Sequence, residues 1–518
     1  MEAGEPRIVV IYVFRFQSTE DLSMSVTLST GNRVVRTRFA PSPTGFMHVG
    51  NLRTALYEYL VAKSAGGRFV LRIEDTDRGR LVEGAVDVIY RTLSLAGLCH
   101  DEGPDIGGPF GPYVQSERMN LYLPYAESLV RSGHAYYCFC TKERLDSLHD
   151  GESTQDSPGY DRHCRDLPAD EVRDKLASGM PYVIRQKMPL TGQTTFEDLV
   201  FGIITVPNKE LEDQILIKAD GFPTYNFANI IDDHLMEITH VVRGSEYLSS
   251  TPKYNLLYEA FNWEIPRYVH LPLIQGRNED GTVSKLSKRH GSTGFDDLIA
   301  EGFLPEAIIN YIALLGWCPK EDTRELFSLS ELTGAFSIDG ISKAPATFDY
   351  DKLEWFNAEY IHRMSREEFI VQAVPYFSGL SCVDESTHDL LTEILQPRIT
   401  RFCQIPEKLS YLNGLEDFDP ELFEHKKSKS SVDSARLLLG QAAESLRSIT
   451  DWDADSVINA LTKVSERNDV KKSAVMWAVR IAVTGMAVTP GGAVEALLLL
   501  GRDRSIERME HSRQRISQ

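Results

Sequence analysis

The chain contains no apolar run of the ~18 or more residues that a membrane-spanning helix requires, which sets a transmembrane protein aside. Its 42% hydrophobic and 25% charged residues are those of a globular protein in water. It has no surplus of positive charge, since 55 Lys and Arg stand against 75 Asp and Glu for a formal net charge of −20. Phosphate contacts need cations, so adhesion to nucleic acid over the whole surface is excluded and a nucleic-acid site must be a local basic patch. Cysteine is scarce, seven in 518 residues, which excludes a disulfide-stapled secreted module and fits a reducing cytosol. No internal repeat is present. The length exceeds one ordinary core, so three or more packed units are expected.

A leader peptide is also hard to find. Residues 1–32 include the apolar run Ile8 to Phe14. They offer no basic start or small-residue cleavage site, and Glu2, Glu5, Glu20 and Asp21 spoil an organellar presequence. This stretch is read as an extension without functional assignment. Met24 is a second candidate start, which N-terminal sequencing would distinguish.

From Arg33 the chain becomes legible. Val34 to Phe39 reads as a strand, and Pro41-Ser42-Pro43-Thr44-Gly45 punctuates it with turn residues. Leu52, Ala55, Leu56, Tyr59 and Leu60 then recur at helical spacing, and Gly66-Gly67 stops them before a strand from Arg68 to Ile73. This is a βαβ unit of an α/β fold with a parallel sheet, whose ligands bind at the carboxyl ends of the strands. Residues 33–106 form the first half of that domain, and 107–212 interrupt it with mixed helices and a polar segment at Asp150 to Gly159. Residues 213–302 return to the same sheet through strands at Ile215 to Ile217 and Thr239 to Arg243, with a helix entered at Pro223-Thr224-Tyr225. Beyond 302 helical patterns dominate, as in Ala307 to Leu315 and Glu367 to Val374, and the polar run His425 to Ser431 reads as a solvated linker.

His48-Val49-Gly50-Asn51 falls where the first strand turns into the first helix, a natural place for a phosphate. Gly50 would let a nucleotide approach the backbone, while the His48 imidazole and the free amides of the helix start can donate to phosphate oxygens. Far downstream, Lys285-Leu286-Ser287-Lys288-Arg289 puts three cations and a hydroxyl on a polar loop, which suits a pyrophosphate leaving group. Alone, the first motif reads rather as a loop histidine beside a turn glycine and the second as a solvated charge run; their company is what overturns these readings.

Together and in this order they resemble the two signatures of class I aminoacyl-tRNA synthetases, with Asn51 standing where the first signature ends in a second histidine. Arg38 to Gly45 and Arg72-Ile73-Glu74-Asp75-Thr76-Asp77-Arg78 are similar to glutamyl-tRNA synthetases. So are Gly108 to Tyr113, Asp220 to Tyr225 with Ala228-Asn229 and Asp232-Asp233-His234, and Arg243 to Glu246. The resemblance implies an α/β Rossmann-type catalytic domain with an inserted acceptor-stem-binding domain at 107–212. A stem-contact region at 303–360 and an all-α anticodon-binding region at 361–518 follow.

It also implies ligation of L-glutamate to tRNA(Glu) through an adenylate made from ATP with Mg2+, by a cytoplasmic monomer. Charging of tRNA(Gln) as well is the alternative. Arg38, Ala40, Ser42, Glu74, Tyr225, Asn229 and Arg243 would hold glutamate, with the two arginines on its carboxylates and Glu74 and Ser42 on its ammonium. Which arginine faces which carboxylate is left open. His48, Gly50, Asn51, Glu246, Ile274, Lys285, Ser287, Lys288 and Arg289 would hold ATP, with His48 and Lys288 as electrostatic clamps on the phosphates. Arg398, in Pro397-Arg398-Ile399-Thr400-Arg401, would read the last anticodon base; the alternative is that Arg398 and Arg401 are solvated helix charges. A shortened paralogue that modifies a tRNA base would lack the helical C-terminal third.

Cys138-Phe139-Cys140 and Cys164 could place three thiolates around a structural zinc, as in some bacterial relatives. Their fourth ligand is often a histidine two residues after the last cysteine, and here that position is Asp166. Tyr160, His163 or Asp166 would have to complete the set, Tyr160 being the residue carried forward. Small buried hydrophobes are the other reading of these cysteines. Cys99, Cys318, Cys382 and Cys403 read as isolated core residues.

Overall fold

The computed structural model describes residues 33–517 apart from 46, 78, 80, 149–159 and 321–322, with Lys288 described by its backbone alone. The expected extension 1–32, the polar segment Asp150 to Gly159 and Arg78 of the motif above therefore lie outside the described residues. The chain separates into two compact units, one of residues 33–300 with 305–350, the other of 301–304 with 351–517. Among the described residues no helix is long and apolar enough to cross a membrane.

In the first unit, strands Arg36–Phe39 and Arg68–Leu71 run parallel, joined by the helix Val49–Ser64. That helix is covered on more than one side, by the strands and by helices Pro305–Ala313 and Leu329–Ala335. Accordingly it shows no polar stripe, and Leu52, Ala55, Leu56 and Leu60 are fully buried. Thr239 donates its amide to the Arg36 carbonyl at 3.0 Å, bringing His240–Gly244 alongside, and Arg267–Leu271 pairs parallel with that strand. Val241 and Val242 are buried in succession, with Val269 buried opposite Val242 on the next strand, which reflects a sheet buried on both faces. The carboxyl ends at Phe39, Gly244 and Leu271 open on one cavity.

The sheet membership of Ile215–Ile217 differs from the expectation. It pairs antiparallel with Val183–Gln186, which pairs with Ala135–Cys138, in a separate three-stranded sheet. Its inner face packs on Tyr122, Ala126 and Leu129. Conversely Gln193–Asp198, inside the 107–212 stretch, meets the parallel sheet where Asp198 registers with Tyr268.

The second unit is helical, and beyond residue 302 the one strand among the described residues is Ala346–Thr347, in the first unit. Helices Val432–Arg447, Ala454–Arg467, Lys472–Thr484, Ala493–Leu500 and Arg502–Arg515 pack together at its C-terminal end. The run expected as a solvated linker is a closed loop instead. His425 and Ser430 exchange backbone hydrogen bonds, and the His425 ring stacks on Trp477 at 3.7 Å. Ser428 and Ser430 are buried there, because the small hydroxyls fold under the loop while Lys426, Lys427 and Lys429 stay exposed.

Candidate active site

A cavity of about 490 Å³ lies at the carboxyl ends of the parallel strands, wholly within the first unit. Of the glutamate-site residues, Arg38, Ala40, Ser42, Glu74, Tyr225 and Arg243 line it, as do His48, Gly50, Asn51, Glu246, Ile274 and Lys285 of the nucleotide set. Asn229, Ser287 and Arg289 are not among the described lining residues. Asn229 is buried on the helix Tyr225–Leu235, with its Nδ2 lacking a partner among the described residues.

The two arginines have different surroundings. Arg38 is buried and donates from Nε to Asp233 Oδ1 at 2.9 Å and from Nη1 to Glu58 Oε1 at 3.3 Å. Its charge is therefore largely neutralised by the protein. Burial opposes the Asp233 charge, but Arg38 and Arg72 together hold its carboxyl below the usual range. Arg243 has no carboxylate within 4.0 Å among the described residues. It rests against the rings of Tyr254 at 4.7 Å, Tyr247 at 5.2 Å and Tyr268 at 5.5 Å, an arrangement that stabilises a cation without discharging it.

Glu74 is equally distinctive. Its Oε1 accepts from Arg72 Nη2 at 2.9 Å, and its Oε2 is buried without a hydrogen-bond partner among the described residues. Burial pushes its carboxyl up to about 7, against the pull of Arg72 and Arg38. An unsatisfied buried carboxylate oxygen at a cavity wall is the complement of an ammonium.

At the other end, His48 caps the helix Val49–Ser64, and its Nδ1 accepts the Gly50 amide at 3.0 Å. A neutral ring bonded this way carries its proton on Nε2 and presents it as a donor. Burial, then the charge of Lys285, lower the His48 pKa, keeping the ring neutral. The Gly50 amide is thus taken by His48, and Val49 donates to Thr293 at 2.8 Å, so these two amides at the helix start are not free as expected. Their donor role passes to the imidazole.

Lys285 ends the strand Val283–Lys285 and Lys288 opens the turn Lys288–His290. His290, which the sequence did not single out, organises this loop. Its Nδ1 accepts the Ser287 amide at 3.1 Å and its Nε2 meets Asn278 Oδ1 at 2.9 Å. A Cβ at Gly276 would come within 2.5 Å of the His290 ring, so glycine is required beneath it. Arg289 is exposed and donates to Ser287 Oγ at 3.2 Å.

Away from the cavity, Cys138, Cys140 and Cys164 converge, with all three sulfurs within 4.8 Å of one another. Tyr160 Oη lies 3.1 Å from Cys138 Sγ and 3.8 Å from Cys140 Sγ. Asp166 is exposed and turned to Lys187 at 3.2 Å, and His163 is exposed. Of the three candidates for a fourth ligand, Tyr160 is the one at the sulfurs. Cys140 Sγ and Cys164 Sγ stand 3.6 Å apart, near the separation of a little under 4 Å that ~2.3 Å bonds to a tetrahedral zinc would set. Burial and the neighbouring Cys138 push the Cys140 thiol up to about 12, a cost that a bound cation would reverse.

In the second unit Arg398 is exposed, with no carboxylate within 4.0 Å among the described residues, and Nη1 donates to the Ile394 carbonyl at 3.0 Å. Arg401 is only partly exposed. It pairs with Glu354 at 3.5 Å and covers the Phe303 ring at 5.3 Å.

A strand–turn–helix junction, a loop whose Lys285 lines the same cavity, and a helical C-terminal unit are the features of a class I aminoacyl-tRNA synthetase. Residues 34–355 match the family described as class I tRNA synthetases (E and Q), catalytic domain, and 355–513 match an anticodon binding domain. The chain belongs to the class I tRNA synthetases for glutamate and glutamine. It is 53% identical over 477 residues to "Glutamate--tRNA ligase" of Clostridium botulinum strain Hall, covering 92% of this chain and 97% of that one. The protein of the same name from Clostridium novyi strain NT is 53% identical, covering 92% and 96%. The crystal structure of a glutamate tRNA ligase from Elizabethkingia meningosepticum, in complex with its amino acid, superposes with a TM-score of 0.85 at 35% identity, covering 93% of this chain and 99% of that one.

Proposed function

We propose that the enzyme ligates L-glutamate to tRNA(Glu) for protein synthesis, with the cavity as the site of both steps. In the first step the α-carboxylate of glutamate attacks the α-phosphorus of Mg-ATP, releasing pyrophosphate. In the second the terminal hydroxyl of tRNA attacks the adenylate carbonyl, releasing AMP. The single observation that carries the glutamate assignment is the pairing across one cavity of Arg243, a cation with no carboxylate partner among the described residues, and Glu74, a carboxylate with an oxygen unpartnered among them. These complement the side-chain carboxylate and the α-ammonium of glutamate, and Arg38, already paired to Asp233 and Glu58, offers its remaining N–H to the α-carboxylate. Ser42 and Tyr225 complete the lining. Neutral glutamine would leave Arg243 buried without a counter-charge, which disfavours it.

His48 Nε2–H, Lys285 and Lys288 meet charge that grows on the phosphates, and catalysis rests on positioning and charge stabilisation, without a general base. ATP enters with Mg2+, the ion supplying charge neutralisation on the phosphates. Residues 107–212 and 303–360 are assigned to the acceptor end and stem of tRNA, and Arg398 to the last anticodon base. Cys138, Cys140, Tyr160 and Cys164 would hold a structural zinc, for which the convergence of the sulfurs is the support. The enzyme is taken as a cytoplasmic monomer; cysteine usage supports the location, and sedimentation tests the state. Charging of separate tRNA(Glu) and tRNA(Gln) transcripts with labelled glutamate tests the reading. Product on tRNA(Glu) alone is expected, and no charging of tRNA(Glu) would overturn it.

A further inference from the structure

Arg243 is gripped on one edge by a buried chain of hydrogen bonds that begins behind the cavity. Asp198 Oδ1 accepts the amides of Val200 at 2.9 Å and Phe201 at 2.8 Å, which fixes the carboxylate. Its Oδ2 accepts the His270 backbone amide at 3.1 Å and faces His270 Nδ1 at 2.6 Å. A carboxylate can only accept, so Nδ1 carries the proton and Nε2 is left with a lone pair. Arg243 Nε donates to that lone pair at 3.1 Å, and Arg243 Nη2 donates to Thr251 Oγ1 at 2.8 Å. Thr251 sends its own proton to the Tyr247 carbonyl at 2.9 Å, so it too faces Arg243 as an acceptor. His270 and Thr251 are fully buried and Asp198 nearly so.

The opposite tautomer would set two N–H groups against each other at Nε2. The guanidinium can therefore take only one orientation, with its remaining N–H groups left for the cavity it lines. We propose that His270, oriented by Asp198, is a positioning residue that aims Arg243 and thereby sets the preference for glutamate over glutamine. This rests on the reading that Arg243 meets the side-chain carboxylate of the substrate. Locking a fork-shaped donor in advance removes the ordering cost from binding, and a planar carboxylate rewards such a fork more than a carboxamide does.

The test is a double-mutant cycle in the full-length enzyme, read by aminoacylation kinetics with glutamate and by competition from glutamine. His270→Asn keeps a donor for Asp198 but removes the acceptor from Arg243. Asp198→Asn favours the wrong tautomer and should mimic it, whereas His270→Gln returns an amide oxygen near the Nε2 position and should partly rescue. We expect His270→Asn to raise the glutamate KM roughly tenfold or more and to narrow the discrimination against glutamine, with the ATP KM within about twofold. In an Arg243→Ala background the same change should add little, because the group it aims is gone.

An equal effect in both backgrounds, or a parallel rise in the ATP KM, would show a merely structural role and overturn the proposal. An Arg243→Ala enzyme with unchanged glutamate KM would instead refute the underlying assignment of Arg243, an outcome seen in that single variant. If His270→Asn does not fold, as judged by thermal unfolding, Asp198→Asn and His270→Gln decide between the same outcomes.

Discussion

Replacing Glu74 by Gln keeps the size of the side chain and the acceptor that Arg72 uses, while removing the charge at the unpartnered Oε2. Two opposite effects should follow. For binding, the α-ammonium of glutamate loses a charge-assisted partner worth about 1.5–3 kcal/mol and meets an amide N–H instead. The glutamate KM should rise by roughly tenfold to a hundredfold. For folding, the native carboxyl titrates near 7 rather than at 4.5, so the native state holds its proton more tightly than the unfolded chain. Stability from this group is full below the unfolded value and is lost as pH rises through 7, amounting to about 3 kcal/mol at pH 8. Gln carries no such cost, so the variant should be at least as stable as the parent at pH 8 and gain nothing at pH 4.

The same titration predicts that the glutamate KM of the parent falls as pH rises through about 7, as Glu74 ionises, and that the variant loses this dependence. Urea unfolding at two pH values with steady-state charging across pH forms the assay. An unchanged KM with lowered stability at pH 8 would make Glu74 a structural partner of Arg72 and not a ligand of the ammonium.

Lys288→Ala should slow adenylate formation by about 3 kcal/mol, roughly a hundredfold, and leave glutamate affinity nearly intact; single-turnover activation with tRNA present measures it, and a rate within twofold of the parent sinks the assignment. Arg398→Gln should narrow the preference between tRNA(Glu) and tRNA(Gln) without touching activation, and an unaltered charging ratio would mean that base is read elsewhere. Metal analysis of the purified chain should find one zinc, lost with Cys140→Ser and with a lowered unfolding temperature; metal-free parent protein of equal stability would reduce the trio to buried hydrophobes.

What was legible in the sequence was local. The strand, turn, helix and strand between Arg33 and Ile73 follow from periodicity and turn chemistry over neighbouring residues, and the structure reproduces them within a few residues. The sheet to which Ile215–Ile217 belongs was not, because strand pairing is settled by partners far away in the chain, here Val183–Gln186. The site divides in the same way. Most of the motif residues do line one cavity, since the motifs sit at strand ends. The acids that neutralise Arg38 are 20 and 195 residues distant, so nothing in its neighbourhood tells that Arg243 is the freer cation. Asp198 and His270 carry no motif at all. Likewise the hydrophilic run from His425 read as a linker because its stacking partner, Trp477, lies on another helix.

Whether glutamate sits between Glu74 and Arg243 is decided by a crystal structure of the full chain with L-glutamate. The α-ammonium should lie within hydrogen-bond distance of Glu74 Oε2 and the side-chain carboxylate on the outer N–H groups of Arg243. A glutamate whose side-chain carboxylate lies on Arg38, or one bound outside this cavity, would contradict it.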